Sequence, residues 1–191
     1  MGIPRIDTGP MTVEEFYAFT DARLDNEKWE LIDGEPILNA SPSRIHQRIL
    51  KNLTIALGNR ERALAGAWEV LPGLGVLISD TRRPEPDLLI LPNSPSVDLT
   101  QRDRDDVIVA FEIMSPSTAT RDLKWKRSAY TSLSSLTHYV LIAQDAVDVV
   151  LFARDNDFAE QRLNSLDSAI AFPALGVSLP LSEIYRDTGL S

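Results

Sequence analysis

Apolar positions along the chain recur at two periods, and the switches between them mark the elements. Phe16, Phe19 and Leu24 continue one stripe behind Thr12, which with Glu15 forms a capping-box pattern, so a helix is expected to open there after an irregular lead-in over 1–11. Trp29-Glu30-Leu31-Ile32 and Glu35-Pro36-Ile37-Leu38 flank Asp33-Gly34, a favoured type I′ turn, and read as a hairpin. Pro36 has no N–H to donate, which puts its strand at an edge or a bulge. Ser43 has N-cap chemistry for a helix over 44–64, with Ile45, Ile49, Leu53, Ala56 and Leu57 as its apolar face. Residues 68–78 read as one strand or two, broken at Pro72-Gly73. Pro84-Glu85-Pro86 is a rigid lead-in to 87–91, a short apolar run typical of a central strand. A polar loop over 92–106 precedes a second buried strand over 107–114, ended by Ser115-Pro116-Ser117. A third helix over 120–135 carries Trp125, Ala129, Tyr130 and Leu133 on its apolar side. Strands follow at 139–143 and 147–153, with another over 158–163, and residues 177–185 suit a short amphipathic piece docked on the core. Helices and strands segregate only partly. The expected class is therefore α/β of the mixed α+β kind, a central mixed sheet flanked by helices, in a single domain over 1–191.

Composition narrows the chemistry. Lys and Arg number 19 against 28 Asp and Glu, a net charge of −9, so a whole-surface basic footprint for nucleic acid is absent. Binding a polyanion would take a local basic patch or a metal ion. Arg44, Arg48, Lys51, Arg60 and Arg62 lie on the second helix, and Arg121, Lys124, Lys126 and Arg127 on the third. Either group is able to contact a phosphate backbone, or is an ordinary solvated face. The absence of cysteine excludes disulfides, Cys-ligated zinc and thiolate nucleophiles, and two histidines, His46 and His138, make a multi-His metal site improbable. Oxygen ligands remain, and those suit magnesium, manganese or calcium. No apolar run approaches a membrane span and residues 1–10 lack the apolar core of a signal peptide, so a cytoplasmic protein with no membrane partner is expected. Ser115 and Ser117 lack the Gly-x-Ser-x-Gly elbow of a serine hydrolase.

The informative residues are charges inside apolar runs. Glu112 lies in Val109-Ala110-Phe111-Glu112-Ile113-Met114. A carboxylate there is costly unless paired or metal-bound, or unless strand alternation turns it to water. Asp87 opens the other central strand. Glu30, taken alone, reads as a solvated strand residue. On the third helix Asp122, Lys126, Tyr130 and Leu133 share one face, so Lys126 is expected to point inward and Lys124 outward. If Glu30, Asp87 and Glu112 converge, their mutual repulsion raises their pKa values unless a cation intervenes. On that footing Asp87→Asn would leave the metal-free fold at least as stable as the wild type.

The motifs Glu30-Leu31-Ile32-Asp33-Gly34-Glu35, Ser41-Pro42-Ser43 before His46, Pro86-Asp87, Glu112 through Thr118, and Asp122-x-x-x-Lys126-x-x-x-Tyr130 occur in the order and spacing of the Uma-two family. The chain thus resembles endonucleases of the restriction-endonuclease-like PD-(D/E)XK superfamily. The resemblance implies an αβββαβ core and a Mg2+-dependent site, with Mn2+ as a substitute and no organic cofactor. It carries over Asp87 and Glu112 as metal ligands, Glu30 as an accessory acid and Lys126 as the catalytic lysine. It further implies DNA as partner. His46 matches the histidine after the family's Ser-Pro loop, but with Leu50 and Leu53 on its side it reads first as a flank of the second helix's apolar stripe. As DNA contacts the expectation is His46 with the basic residues Arg44, Arg48 and Lys124, and Asp122 and Tyr130 are expected to support the site. A homodimer is expected by analogy with enzymes that cut two strands. The superfamily lysine normally stands two residues after the acid; here Met114 occupies that place, and Lys126 on the helix takes its role. The rival reading is a catalytically inactive nucleic-acid-binding or protein-interaction domain that keeps the fold.

Overall fold

The structure is a computed structural model and describes residues 9–23, 27–64, 66–94, 96, 98–114 and 122–191. Leu24, the Ser115-Pro116-Ser117 turn, Thr118, and residues 120 and 121 of the expected third helix lie outside those residues, as does the side chain of Asp122.

Helix α1 spans Val13–Asp21 and begins as its capping box dictates. The Thr12 N–H donates to Glu15 Oε2 at 2.8 Å, and the Glu15 N–H donates back to Thr12 Oγ1 at 3.3 Å. Strands β1 (Trp29–Ile32) and β2 (Glu35–Leu38) pair antiparallel through a two-residue turn. Asp33 and Gly34 have φ of 49° and 81°, both positive as a type I′ turn requires. On its other side β1 exchanges Leu31 backbone bonds with Arg83, at 3.0 and 2.8 Å, so Pro36 falls on the outer edge.

Gly34 is needed for a second reason. A Cβ built there would stand 2.2 Å from Pro10 Cβ and 2.8 Å from the Met11 backbone nitrogen. Gly73 has a similar φ of 66°, yet a Cβ there meets nothing within 4 Å. Gly34→Ala is therefore expected to cost about 3 kcal/mol in urea unfolding, and Gly73→Ala only the conformational part, about 1 kcal/mol. Equal losses would show that the Pro10-Met11 segment yields freely.

Helix α2 (Arg44–Ala63) is capped by Ser43 Oγ, which accepts from the His46 N–H at 3.2 Å. It buries Ile49, Leu53, Ala56 and Leu57. Asn52 interrupts this face because its amide donates to the Ile184 and Arg186 carbonyls, at 3.0 and 2.8 Å. The central sheet contains β3 (Trp68–Pro72), β5 (Leu88–Pro92), β7 (Val109–Met114), β8 (His138–Ala143), β9 (Val149–Ala153) and β10 (Glu160–Leu163). Their spatial order is β10-β9-β8-β7-β5-β3, with β7 and β8 parallel and the other neighbours antiparallel. Leu88 and Ile90 pack towards α2, whereas Leu89, Leu91 and Ala110 pack towards Tyr130 on the opposite face. Both faces are covered, which is why the central strands read as continuous apolar runs.

Three expectations need correction. The third helix is shorter than 120–135. It comprises a π-helical turn, Asp122–Lys126, continued by α3 (Arg127–Thr131). The Arg154 guanidinium captures the Leu133 and Leu136 carbonyls at 2.6 and 2.7 Å, so the chain beyond Ser132 folds towards β8 instead of continuing the helix. The loop over 92–106 contains β6 (Asp103–Arg104), which pairs in parallel with β4 (Gly75–Val76). The tail is not one amphipathic piece. β11 (Ala169–Phe172) and β12 (Val177–Pro180) form a hairpin, and α4 (Leu181–Ile184) follows. Within β11, Ile170 and Phe172 are buried and Ala169 and Ala171 exposed, a period-two pattern short enough to pass unnoticed.

The succession α2-β3-β5-β7-α3-β8 is the αβββαβ core that the resemblance implied. Among the described residues no helix is long and apolar enough to cross a membrane.

Candidate active site

Four elements deliver charge to one end of the sheet. Antiparallel pairing sets Leu88 opposite Phe111, so Asp87, one residue earlier, stands beside Glu112 on the neighbouring strand. The Asp87 N–H donates to the Phe111 carbonyl at 3.1 Å, and the Ile113 N–H donates to Asp87 Oδ2 at 2.8 Å. Alternation along β7 turns Phe111 and Ile113 towards α2 and leaves Glu112 on the side of Ala110 and Tyr130. Glu30 comes from β1, bound by the Glu85 N–H at 2.8 Å and by the Asn39 amide at 3.0 Å.

The π-helical turn supplies the cation. Lys126 Nζ lies 2.8 Å from Glu112 Oε1 and 2.9 Å from Glu30 Oε1. Glu30, Lys126 and Glu112 are only 1%, 4% and 5% exposed, so this is a buried ion triad rather than a solvated pair. One helical turn on, the Tyr130 hydroxyl donates to Glu112 Oε1 at 3.1 Å. Lys124, within the π turn, is exposed. The Trp125 indole N–H donates to Asp33 Oδ2 at 2.8 Å, which ties the π turn to the β1–β2 turn. Asp33 thus does more than satisfy a hairpin.

Asp87, Glu112 and Lys126 open on a cavity of about 470 Å³, lined also by Lys28 and His46 among others, whereas Glu30 and Tyr130 lie outside its lining. His46 is turned inward, its Nε2 3.2 Å from Asp87 Oδ1. Arg44, Arg48 and Lys124 do not line the cavity. Arg44 is exposed, and Arg48 makes a long contact of 4.0 Å with Asp187. Sequence reasoning missed Lys28, Asn39, Glu85 and Gln144. Lys28 Nζ sits 3.3 Å from Asp87 Oδ1, and Gln144 accepts from Ser43 Oγ at 2.8 Å at the cavity wall. Lys28 had a signal, since period two in an extended segment puts it on the same side as Glu30. Asn39 had none.

A family model described as "Putative restriction endonuclease", Uma2, matches residues 13–182. The chain belongs to the Uma2 family. A solved structure, described as a "putative nuclease belonging to DUF820 from Anabaena variabilis ATCC 29413", superposes with a TM-score of 0.74 at 15% identity, covering 92% of this chain and 98% of that one. At that identity the likeness is one of fold. Among curated proteins none matches the chain.

The electrostatics of this Uma2 site differ from those expected of bare carboxylates. Burial alone would raise the pKa of Asp87, but the His46 hydrogen bond, the Lys28 charge, the His46 charge and the Ile113 N–H bring it down to about 2. Burial likewise opposes ionisation of Glu30, and Lys126, the Glu85 N–H and Asn39 more than offset it, so that pKa is lowered too. For Asp87 and Glu30 the shifts are thus downward, because internal cations stand where bare carboxylates would repel. Tyr130 is pushed well up, by burial first and by the Glu112 charge second, and stays a neutral donor.

The donor set suits a hard cation. Asp87 and Glu112 offer carboxylate oxygen, and among the described residues no three His, Asp or Glu side chains form a ready-made cage. Magnesium is bound by one or two carboxylates with retained water, so two converging carboxylates beside an open cavity fit it, and manganese by the same chemistry.

Proposed function

We propose that this Uma2 protein is a metal-dependent endonuclease that hydrolyses phosphodiester bonds of DNA. The observation that supports it most is the meeting of Asp87, Glu112 and Lys126, from three separate elements, at one open cavity, with Glu30 buried against Lys126 outside its lining. Asp87 and Glu112 would hold Mg2+ or Mn2+. When bound, that ion would polarise a phosphoryl oxygen and acidify a water molecule. Lys126 is fixed between Glu112 and Glu30, so its ammonium has a set position from which to orient the attacking water or to stabilise charge on the phosphoryl oxygens. Glu30 holds Lys126 in place, and Tyr130 fixes the Glu112 rotamer by donating to it. Lys124, exposed on the outer side of the same helix, would contact backbone phosphate.

The test is nicking of a supercoiled plasmid with Mg2+ or Mn2+. Glu112→Gln is expected to lose at least a thousandfold in turnover. Lys124→Ala should keep turnover at saturating DNA but bind more weakly, with a salt slope reduced by about one. Loss of turnover in Lys124→Ala equal to that in Lys126→Ala would contradict this assignment.

A second reading, an inactive domain that retains the fold, draws support from two facts. Asp87 and Glu112 both already carry internal cationic partners, and the net charge is −9. Wild-type protein that binds DNA but never nicks it, with either metal, would favour this reading.

A further inference from the structure

Both oxygens of Asp87 are occupied. Oδ2 accepts the Ile113 N–H at 2.8 Å, and Oδ1 receives Lys28 Nζ at 3.3 Å and His46 Nε2 at 3.2 Å. A cation that ligates Asp87 through Oδ1 must therefore displace one of these two groups. They are not equally movable. The His46 side chain is 13% exposed and rides on α2, whose N-terminal turn is pinned by the Ser43 cap. The Lys28 side chain is 35% exposed and ends a four-carbon stem anchored just ahead of β1, where its carbonyl accepts the Asn39 N–H at 2.9 Å. An ammonium on such a stem regains water by rotating outward. Four carboxylates, Asp87, Glu112, Glu85 and Glu30, draw the Lys28 charge inward. Three of them have another cationic partner, Glu30 and Glu112 in Lys126 and Glu85 in Arg83 at 3.3 Å. Lys28 is thus left to face Asp87, and of the two groups on Oδ1 it is the one tied down least.

We propose that Lys28 is an internal surrogate for the divalent cation: it neutralises Asp87 in the metal-free protein and is expelled into the cavity when the metal binds. This rests on the metal-site reading above and adds a competition to it. Metal affinity is then set by the cost of evicting Lys28 as well as by the ligands. The freed ammonium stays at the wall of the same cavity, where a phosphate group on the substrate is its natural new partner. Premature cation binding is discouraged, and substrate and metal binding reinforce one another.

Calorimetric titration with Mn2+ alone tests this on the wild type, Lys28→Met and Lys28→Arg. Removing the competitor should tighten Mn2+ binding at least tenfold in Lys28→Met and lower the melting temperature of the metal-free protein. Lys28→Arg, which keeps the charge, should stay within a few-fold of wild-type affinity. In the wild type itself, the Lys28 side-chain nitrogen resonance should move on titration with diamagnetic Mg2+, which reads the eviction without any substitution. Equal Mn2+ affinity in the wild type and Lys28→Met, or weaker binding in the variant, would overturn the surrogate role and leave the metal site standing. No Mn2+ binding by either protein would overturn both.

Discussion

Lys126→Met is expected to abolish cleavage and to remove about 3–5 kcal/mol of stability at neutral pH, because it leaves Glu30 and Glu112 buried without their ammonium. Against a total stability of about 5–15 kcal/mol, that brings the fold close to its limit. The pH dependence should change sign. In the wild type the Glu30 pKa is lowered, so Glu30 contributes stability above its usual 4.5 and loses it as pH falls through the folded value. Without Lys126, burial dominates and raises that pKa. The variant then gains stability on acidification, as the stranded carboxylates take up protons. Adding Glu30→Gln to Lys126→Met should restore much of the loss at pH 7 while cleavage stays absent. Urea unfolding of the three proteins at pH 7 and pH 5 checks this. A single variant within about 0.5 kcal/mol of the wild type would show that the triad carries no net stability.

The site was legible where a charge contradicted its surroundings. Glu112 stood out because β7 is otherwise apolar, and Lys126 because period 3.6 grouped it with Tyr130. The grouping holds from Lys126 onward, where the chain is α-helical, but Asp122 lies across a turn that closes i→i+5 and loses that register. No residue pattern announces a π turn, so this part was hidden. His46 was read as a flank of the α2 stripe, because its partner, Asp87, lies in another element and nothing local to His46 points there. Lys28 carried a period-two signal, but a lysine before a strand is too common on solvated surfaces to be singled out. The fold was legible for the same reason as Glu112. Leu88–Pro92 is apolar on both faces and Val109–Met114 is so apart from Glu112, and burial on both faces demands covering layers. The C-terminal hairpin escaped because β11 has four residues, too few for its alternation to stand out.

Asp87→Asn should lower the stability of the metal-free protein by about 2 kcal/mol at pH 7, the reverse of what three bare carboxylates would give. The folded pKa of Asp87 is about 2 against a usual 3.8, and burial is the influence that opposes this shift. A lowered carboxylate pKa contributes stability that is complete above 3.8 and fades as pH falls towards about 2. An asparagine accepts one hydrogen bond from Lys28 or His46 but offers no charge to either, so the variant has no such acid limb. In EDTA, urea unfolding from pH 7 down to pH 3 should show the wild type falling towards the variant. Saturating metal should act on the wild type alone, by about 2.7 kcal/mol at a hundredfold excess over its dissociation constant. The gap between the two proteins should therefore widen with metal and narrow with acid. Equal stability in EDTA across the whole range would mean that Lys28 and His46 do no more than repay the burial of Asp87. Bare carboxylate repulsion would then again be the better account of the site.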